Sequence, residues 1–150
     1  MSTAIGTLAS TVVAVVEPDT TALMVAQLMR QCHVGALVVV DSETRSRAVG
    51  IVTDRDLVLE LIAEGLDPAV FTAGDIMTVD LLTSHVNTDT AQAVQLMKTR
   101  GVRRLVLVDD KERLVGIVSM EDVLARMAQE LTELVSGLSL ARARESKDRQ

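Results

Sequence analysis

Two kinds of apolar pattern alternate along the chain. Residues 36–40 and 105–108 are unbroken runs of Ala, Leu and Val, which predict buried strands. A polar turn follows each run and leads to Val49-Gly50-Ile51-Val52 or to Val115-Gly116-Ile117-Val118, so each pair predicts a hairpin. Ahead of the hairpins, Leu23, Val25, Ala26, Leu28 and Met29, and again Ala93, Val94, Leu96 and Met97, recur at helical spacing and give each helix one buried stripe. These helices are expected to end near Gly35 and Gly101. Behind the hairpins, helices start at Thr53 and Ser119, with Leu57, Leu61 and Ile62 in one and Val123, Leu124, Met127 and Leu131 in the other. Upstream, residues 11–16 predict a strand rich in β-branched residues, after which Glu17, Pro18 and Asp19 turn the chain and offer a helix cap. Leu81, Leu82 and Thr83, then Asn87, are the counterparts. The order is strand, helix, strand, strand, helix, an α/β (α+β) arrangement.

That order occurs twice because the chain repeats itself. Residues 33–41 (His-Val-Gly-Ala-Leu-Val-Val-Val-Asp) match residues 101–109 (Gly-Val-Arg-Arg-Leu-Val-Leu-Val-Asp) at an offset of 68, from 33 to 101. Gln27, Leu28 and Met29 match Gln95, Leu96 and Met97 at the same offset. Downstream, Gly50-Ile51-Val52-Thr53 matches Gly116-Ile117-Val118-Ser119 at an offset of 66, which puts two extra residues into the polar turn after Asp41. Each copy of roughly 60 residues is marginal alone, so the two are expected to pack together as an intramolecular pair. The predicted domains are residues 1–72, with an N-terminal segment, and 73–136, followed by a charged tail at 137–150.

Composition narrows the function. Apolar residues make up 48% and charged residues 24%, enough for a buried core. Phe71 is the single aromatic, so the core is aliphatic and a nucleobase would lie between aliphatic side chains. With 21 acidic against 15 basic residues the chain carries −6, which repels a phosphate backbone and argues against nucleic acid as a partner. No apolar run is long enough for a bilayer, and Met1-Ser2-Thr3-Ala4 lacks the basic region of a secretory signal, so a cytoplasmic protein without a membrane partner is expected.

Candidate chemistry is sparse. Thr53-Asp54-Arg55-Asp56 and Ser119-Met120-Glu121-Asp122 have the composition of any helix start, a hydroxyl cap followed by acids near the positive end of the dipole. Arg103 and Arg104 open a strand, where alternation would send them to opposite faces. Cys32 and His33 would be a metal corner with His85 as a third ligand, but an adjacent pair cannot share one helical face; a buried thiol and a surface imidazole are the expected reading. No nucleophile stands beside a base and no Gly-rich phosphate loop is present, so no enzyme activity and no catalytic cofactor is expected. Leu124, Met127, Leu131, Leu134 and Leu138 recur at spacings of three and four, fitting either a dimer helix or packing on the chain's own sheet.

The segments Gly50-Ile51-Val52-Thr53-Asp54-Arg55-Asp56-Leu57 and Gly116-Ile117-Val118-Ser119-Met120-Glu121-Asp122-Val123, with residues 35–41 and 75–78, resemble the CBS (cystathionine β-synthase) domain family. The likeness covers roughly residues 8–135, and the stretch Thr53 to Pro68 looks especially like the small bacterial proteins that consist only of a CBS pair. It implies sheets packed face to face, two related clefts for adenosyl ligands, and often a disc-shaped homodimer. It also implies that Asp56 and Asp122 accept hydrogen bonds from a ribose diol, with Thr53 and Ser119 near the sugar and phosphate. Arg55, Arg103 and Arg104 are then candidate phosphate partners beside a helix N-terminus. The sequence departs from many relatives in carrying Leu37-Val38 and Leu105-Val106 where they carry Leu-Pro on the backbone facing the base.

The function so implied is a regulatory, signal-transduction module that binds AMP, ADP or ATP as a regulatory ligand. Alternatives are a dimerisation or docking module for an unknown protein partner, without nucleotide, and a sensor of another adenosyl ligand such as S-adenosylmethionine or NAD.

Overall fold

The computed structural model describes residues 3–11 and 14–149. A 3-10 turn at Ile5–Thr7 precedes β1 (Val15–Val16), α1 (Ala22–Cys32), β2 (Ala36–Val40), β3 (Ala48–Thr53) and α2 (Asp54–Asp56). Helix α2 runs on into a π-helical segment, Leu57–Ile62. A short α3 (Ala73–Ile76) leads to β4 (Thr83–His85), α4 (Thr90–Arg100), β5 (Arg104–Val108), β6 (Leu114–Ser119) and α5 (Met120–Asp148). Strands β1, β2 and β3 form one sheet and β4, β5 and β6 the other, with the first pair parallel and the second antiparallel in each. The duplicated strand, helix, strand, strand, helix order is therefore present.

Several boundaries differ from the sequence-based expectation. The strand expected at 11–16 is the two-residue β1, and Val12 and Val13 lie outside the described residues. The caps of α1 and α4 are Thr21 and Asp89, not Asp19 and Asn87; Thr21 Oγ1 accepts from the Met24 amide at 3.3 Å and Asp89 Oδ2 from the Ala91 amide at 3.1 Å. The cause is a turn at each site, closed by Thr20 N–H to Glu17 O and by Thr88 N–H to His85 O, which delays the helix. Both helices end on a left-handed residue, His33 at φ 55° and Gly101 at φ 64°. Cys32, expected to be buried, is exposed on the last turn of α1. Ile62 is off the buried stripe because the π-helical turn, marked by Ala63 N–H to Val58 O, is wider than an α-turn; Leu61 stays buried. In α5 only Val123 is buried, and Leu124, Met127 and Leu131 are exposed, so its expected stripe does not pack on this chain.

Segments preceding the two sheets are exchanged. Ile5 N–H binds Thr88 O at 2.8 Å and Gly6 N–H binds Val86 O at 2.9 Å, while Ser10 pairs with Ile117 of β6. The same bonds recur in the other direction: Ala73 N–H to Thr20 O at 2.8 Å, Gly74 N–H to Pro18 O at 2.8 Å, and Thr78 paired with Ile51 of β3. Each hydrophobic core is completed accordingly. Ala73 and Ile76 join Val16, Val25, Met29, Leu37, Val39, Val52 and Leu61, whereas Ile5 joins Ala93, Met97, Leu105, Leu107, Val118 and Val123. On the opposite strand faces Val38, Val40, Val106 and Val108 are buried too, where the halves close on each other.

Glycine makes this crossing possible. A Cβ at Gly116 would stand 2.8 Å from Ser10 O, and one at Gly50 would meet Met77. The hairpin turns are held by carboxylates. Asp41 accepts from Thr44 Oγ1, Thr44 N–H and Arg47 N–H, which pull its carboxyl well below the usual range. Arg113 Nε and N–H, with Lys111 N–H, hold Asp109 at about 2.

Gly116→Ala is expected to cost about 1–3 kcal/mol by displacing the arm at Ser10, measured as a lowered urea midpoint; an unchanged midpoint contradicts the crossing. Because the folded pKa of Asp109 is depressed, its contribution is complete above the ordinary 3.8 and is lost as pH falls towards about 2. Asp109→Asn should therefore be less stable at neutral pH, with a shallower loss of stability across that acid window than the parent protein.

Candidate functional site

The ends of β3 and β6 deliver the same local device. Thr53 and Ser119 are extended and cap the helices that follow. Thr53 Oγ1 accepts from Asp56 N–H at 3.2 Å, and Asp56 Oδ2 accepts from Thr53 N–H at 2.8 Å. In the second copy Ser119 Oγ accepts from Asp122 N–H at 3.1 Å, and Asp122 Oδ2 accepts from Ser119 N–H at 2.7 Å. Thr72 and Asp75 form a third such box at α3. Each aspartate thus spends one oxygen on the helix end. The Oδ1 atoms of Asp56 and Asp122 have no hydrogen-bond partner among the described residues, and a carboxylate oxygen has room to accept more.

Two clefts lie along the seam. The first, about 410 Å³, is walled by Ile51, Thr53, Asp54 and Arg55 from one half and by Thr78, Asp80, Leu82, Val102, Arg103 and Arg104 from the other. The second, about 400 Å³, is walled by Ser10, Ala14, His33, Val34, Gly35 and Ala36 against Arg104, Ile117, Ser119 and Asp122. They are counterparts under the repeat: Thr78 answers Ser10, Leu82 answers Ala14, Val102 answers Val34, and Thr53 answers Ser119. Both volumes fall in the ~300–1,000 Å³ range of small-molecule pockets.

The predicted site residues are divided between these clefts. Thr53, Arg55, Arg103 and Arg104 line the first, and Ser119, Asp122 and Arg104 the second. Asp56 is not on the wall of the first cleft; Asp54 takes that place. Strand alternation does not separate Arg103 from Arg104, because β5 begins only at Arg104, and both reach the first cleft. Arg103 is paired with Glu121. The Arg104 guanidinium has no partner among the described residues and lines both clefts, whereas its counterpart in the repeat is Ala36.

Charge consequently differs between the two. Three arginines face Asp54 and Asp80 in the first, while Arg104 and His33 face Asp122 in the second. Sequence reasoning did not find Asp54, Asp80, Ser10 or Thr78. The signal available for the last two was their offset of 68 residues, from 10 to 78. Among the described residues no three His, Cys, Asp or Glu side chains form a metal-binding group, and no helix is long and apolar enough to cross a membrane.

Comparison with known proteins agrees with this architecture. The CBS domain family profile matches residues 5–63 and 73–129. An uncharacterised protein of Methanopyrus kandleri is 37% identical over 123 residues, which is 82% of this chain but only 62% of that protein's length. The CBS domain-containing protein YhcV of Bacillus subtilis is 37% identical over 114 residues, 76% of this chain and 78% of its own. Among solved structures, a CBS domain protein of Pyrobaculum aerophilum complexed with AMP superposes with a TM-score of 0.74 at 23% identity, over 85% of this chain and 99% of that one, a likeness of fold. Two copies of the matched unit, each closing the other's core, make this chain a member of the CBS domain family, with its domains paired in tandem.

Proposed function

We propose that this chain is a non-catalytic regulatory module that binds an adenine nucleotide, AMP, ADP or ATP, in the clefts between its two CBS domains. The observation carrying this reading is the second cleft, where Ser119 and Asp122 stand together on a wall completed by the other half. A ribose diol offers two O–H donors, and the unengaged oxygen of Asp122 is a charged acceptor for them. Aliphatic Val34, Ala36 and Ile117 on the same wall supply surface for an uncharged base. Arg104 supplies the cation for a phosphate. In the first cleft, Arg55 is a further candidate phosphate partner, set against Asp54 and Asp80 on the same wall, Arg103 is engaged by Glu121, and Asp56 acts through the cap it makes with Thr53. The Pyrobaculum aerophilum complex shows that this fold accommodates AMP in that protein, and supports the same ligand class here.

Because both clefts straddle the seam, a ligand that binds one arrangement of the halves better than another shifts their equilibrium, which is all a regulatory module requires. A homodimer or an unidentified protein partner would read that shift in the cytoplasm. A second reading, a docking module with no nucleotide, draws on the Thr72–Asp75 box: the same hydroxyl–carboxylate pair serves there purely as a cap.

Calorimetric titration with AMP separates the two. Saturable binding is expected, weakened by about 1–3 kcal/mol in Asp122→Ala, the range for a lost hydrogen bond to a charged group. Asp75→Ala loses an equivalent cap outside both clefts and should bind as the parent does. Arg104→Ala should weaken both sites. No binding of any adenosyl compound, or equal affinity in Asp122→Ala, contradicts the proposal and favours docking alone.

A further inference from the structure

Arg104 borders both clefts, and the repeat gives it no twin. It opens β5 in register with Ser119 of β6, and strand alternation puts its side chain on the face of Val106 and Val108, where the halves close. The residue is partly buried, and its guanidinium has no hydrogen bond or ion pair among the described residues. At the same place in the first half, in register with Thr53, stands Ala36, which carries no charge. One guanidinium therefore serves a seam that holds two clefts.

The surrounding charges make that guanidinium decisive. On the wall of the second cleft Arg104 is the only arginine or lysine among the described residues, and it stands against Asp122. In the first cleft Arg103 is engaged by Glu121, which leaves Arg55 and Arg104 against Asp54 and Asp80. A phosphate monoester carries about −1.5 to −2 near neutral pH, so these carboxylates repel it and the free arginines hold it. A guanidinium sets its planar fork of donors against one phosphate at a time. Once Arg104 is engaged from one side, the other cleft faces a neutralised arginine. It also feels the first ligand's charge across a partly buried seam, where screening is weaker than in open water.

Building on the nucleotide reading above, we infer that Arg104 couples the two clefts negatively: a phosphate held in one lowers the affinity of the other for a second phosphate-bearing ligand. Coupling between sites is reciprocal, so the factor is the same whichever cleft fills first, although Arg55 gives the first cleft a cation of its own. The module then fills in two stages as nucleotide rises, one cleft at low concentration and the other only at a much higher one.

Site-resolved titration of the full chain tests it. Amide shifts at residues 80–82 report the first cleft and those at 33–36 the second, since each segment lines one and not the other. Thr78→Trp obstructs the first cleft and Ser10→Trp the second, at exposed counterpart positions and without a change of charge. The cleft that fills second in the parent should fill at roughly 5- to 150-fold lower AMP when the other is obstructed, the usual span of coupling between sites. That gain should vanish in an Arg104→Gln background. It should also vanish with adenosine, which has no phosphate, and saturable adenosine binding at the open cleft shows that each Trp variant is folded there. Equal half-saturation with and without the other cleft, tighter filling when the other is full, a gain that survives Arg104→Gln, or a cleft that stays empty in every variant overturns the inference. Two saturable but independent clefts overturn the coupling and keep the nucleotide reading, whereas no shift at either segment overturns both.

Discussion

Everything in this structure depends on a reciprocal exchange of backbone between two repeated halves. Neither half closes its own core: Ile5 fills the space under β5 and β6, and Ala73 with Ile76 fill the space under β2 and β3. The arms are fixed by main-chain hydrogen bonds at Ser10 and Thr78, which add a rung to the edge of the opposite sheet. Gly50 and Gly116 are positions where those arms pass close, and a side chain there would occupy the same space. The clefts are a direct consequence, because the residues that cross the seam, Ser10 and Thr78, are also cleft walls.

At the seam a capping group can also be a cleft wall, as Ser119 and Asp122 cap α5 and line the second cleft. A hydroxyl and an aspartate three residues apart satisfy the first turn of a helix, and the aspartate does so with one oxygen. The other oxygen remains available in the same geometry, so capping and binding are compatible. The duplication has not kept the clefts alike. Ala36 and Gly35 stand where Arg104 and Arg103 stand in the second copy, which puts more charged groups of both signs on the first cleft and lets a single guanidinium border both.

Much of this was legible in the residues. The offset of 68, the valine-rich runs, and the hydroxyl and aspartate after each hairpin placed β2, β5, the hairpins and the starts of α2 and α5 where they are found, whereas β1 and β4 are shorter than or shifted from the strands expected at 11–16 and 81–83. The caps of α1 and α4 were not legible, because a turn closed through main-chain atoms delays each helix by two residues and several polar residues nearby compete for the role. The exchange of arms was harder still. Ile5-Gly6 and Ala73-Gly74 sit at the repeat offset, but two residues carry too little pattern to stand out, and partner choice across the seam is a tertiary property. The stripe of α5 was visible as a stripe; periodicity reports an apolar face and not what covers it. Asp54 and not Asp56 stands on the wall of the first cleft, although Asp122, with the same capping bond, lines the second, so the cap alone does not decide which carboxylate faces a cleft.

The central claim is that an adenine nucleotide occupies a cleft built by both halves, and amide chemical shifts followed during titration with AMP test it most directly. The account predicts saturable shifts at residues 33–36 and at residues 117–122, two segments far apart in sequence that both line the second cleft. Shifts confined to one of these segments, or absent from both, would contradict it.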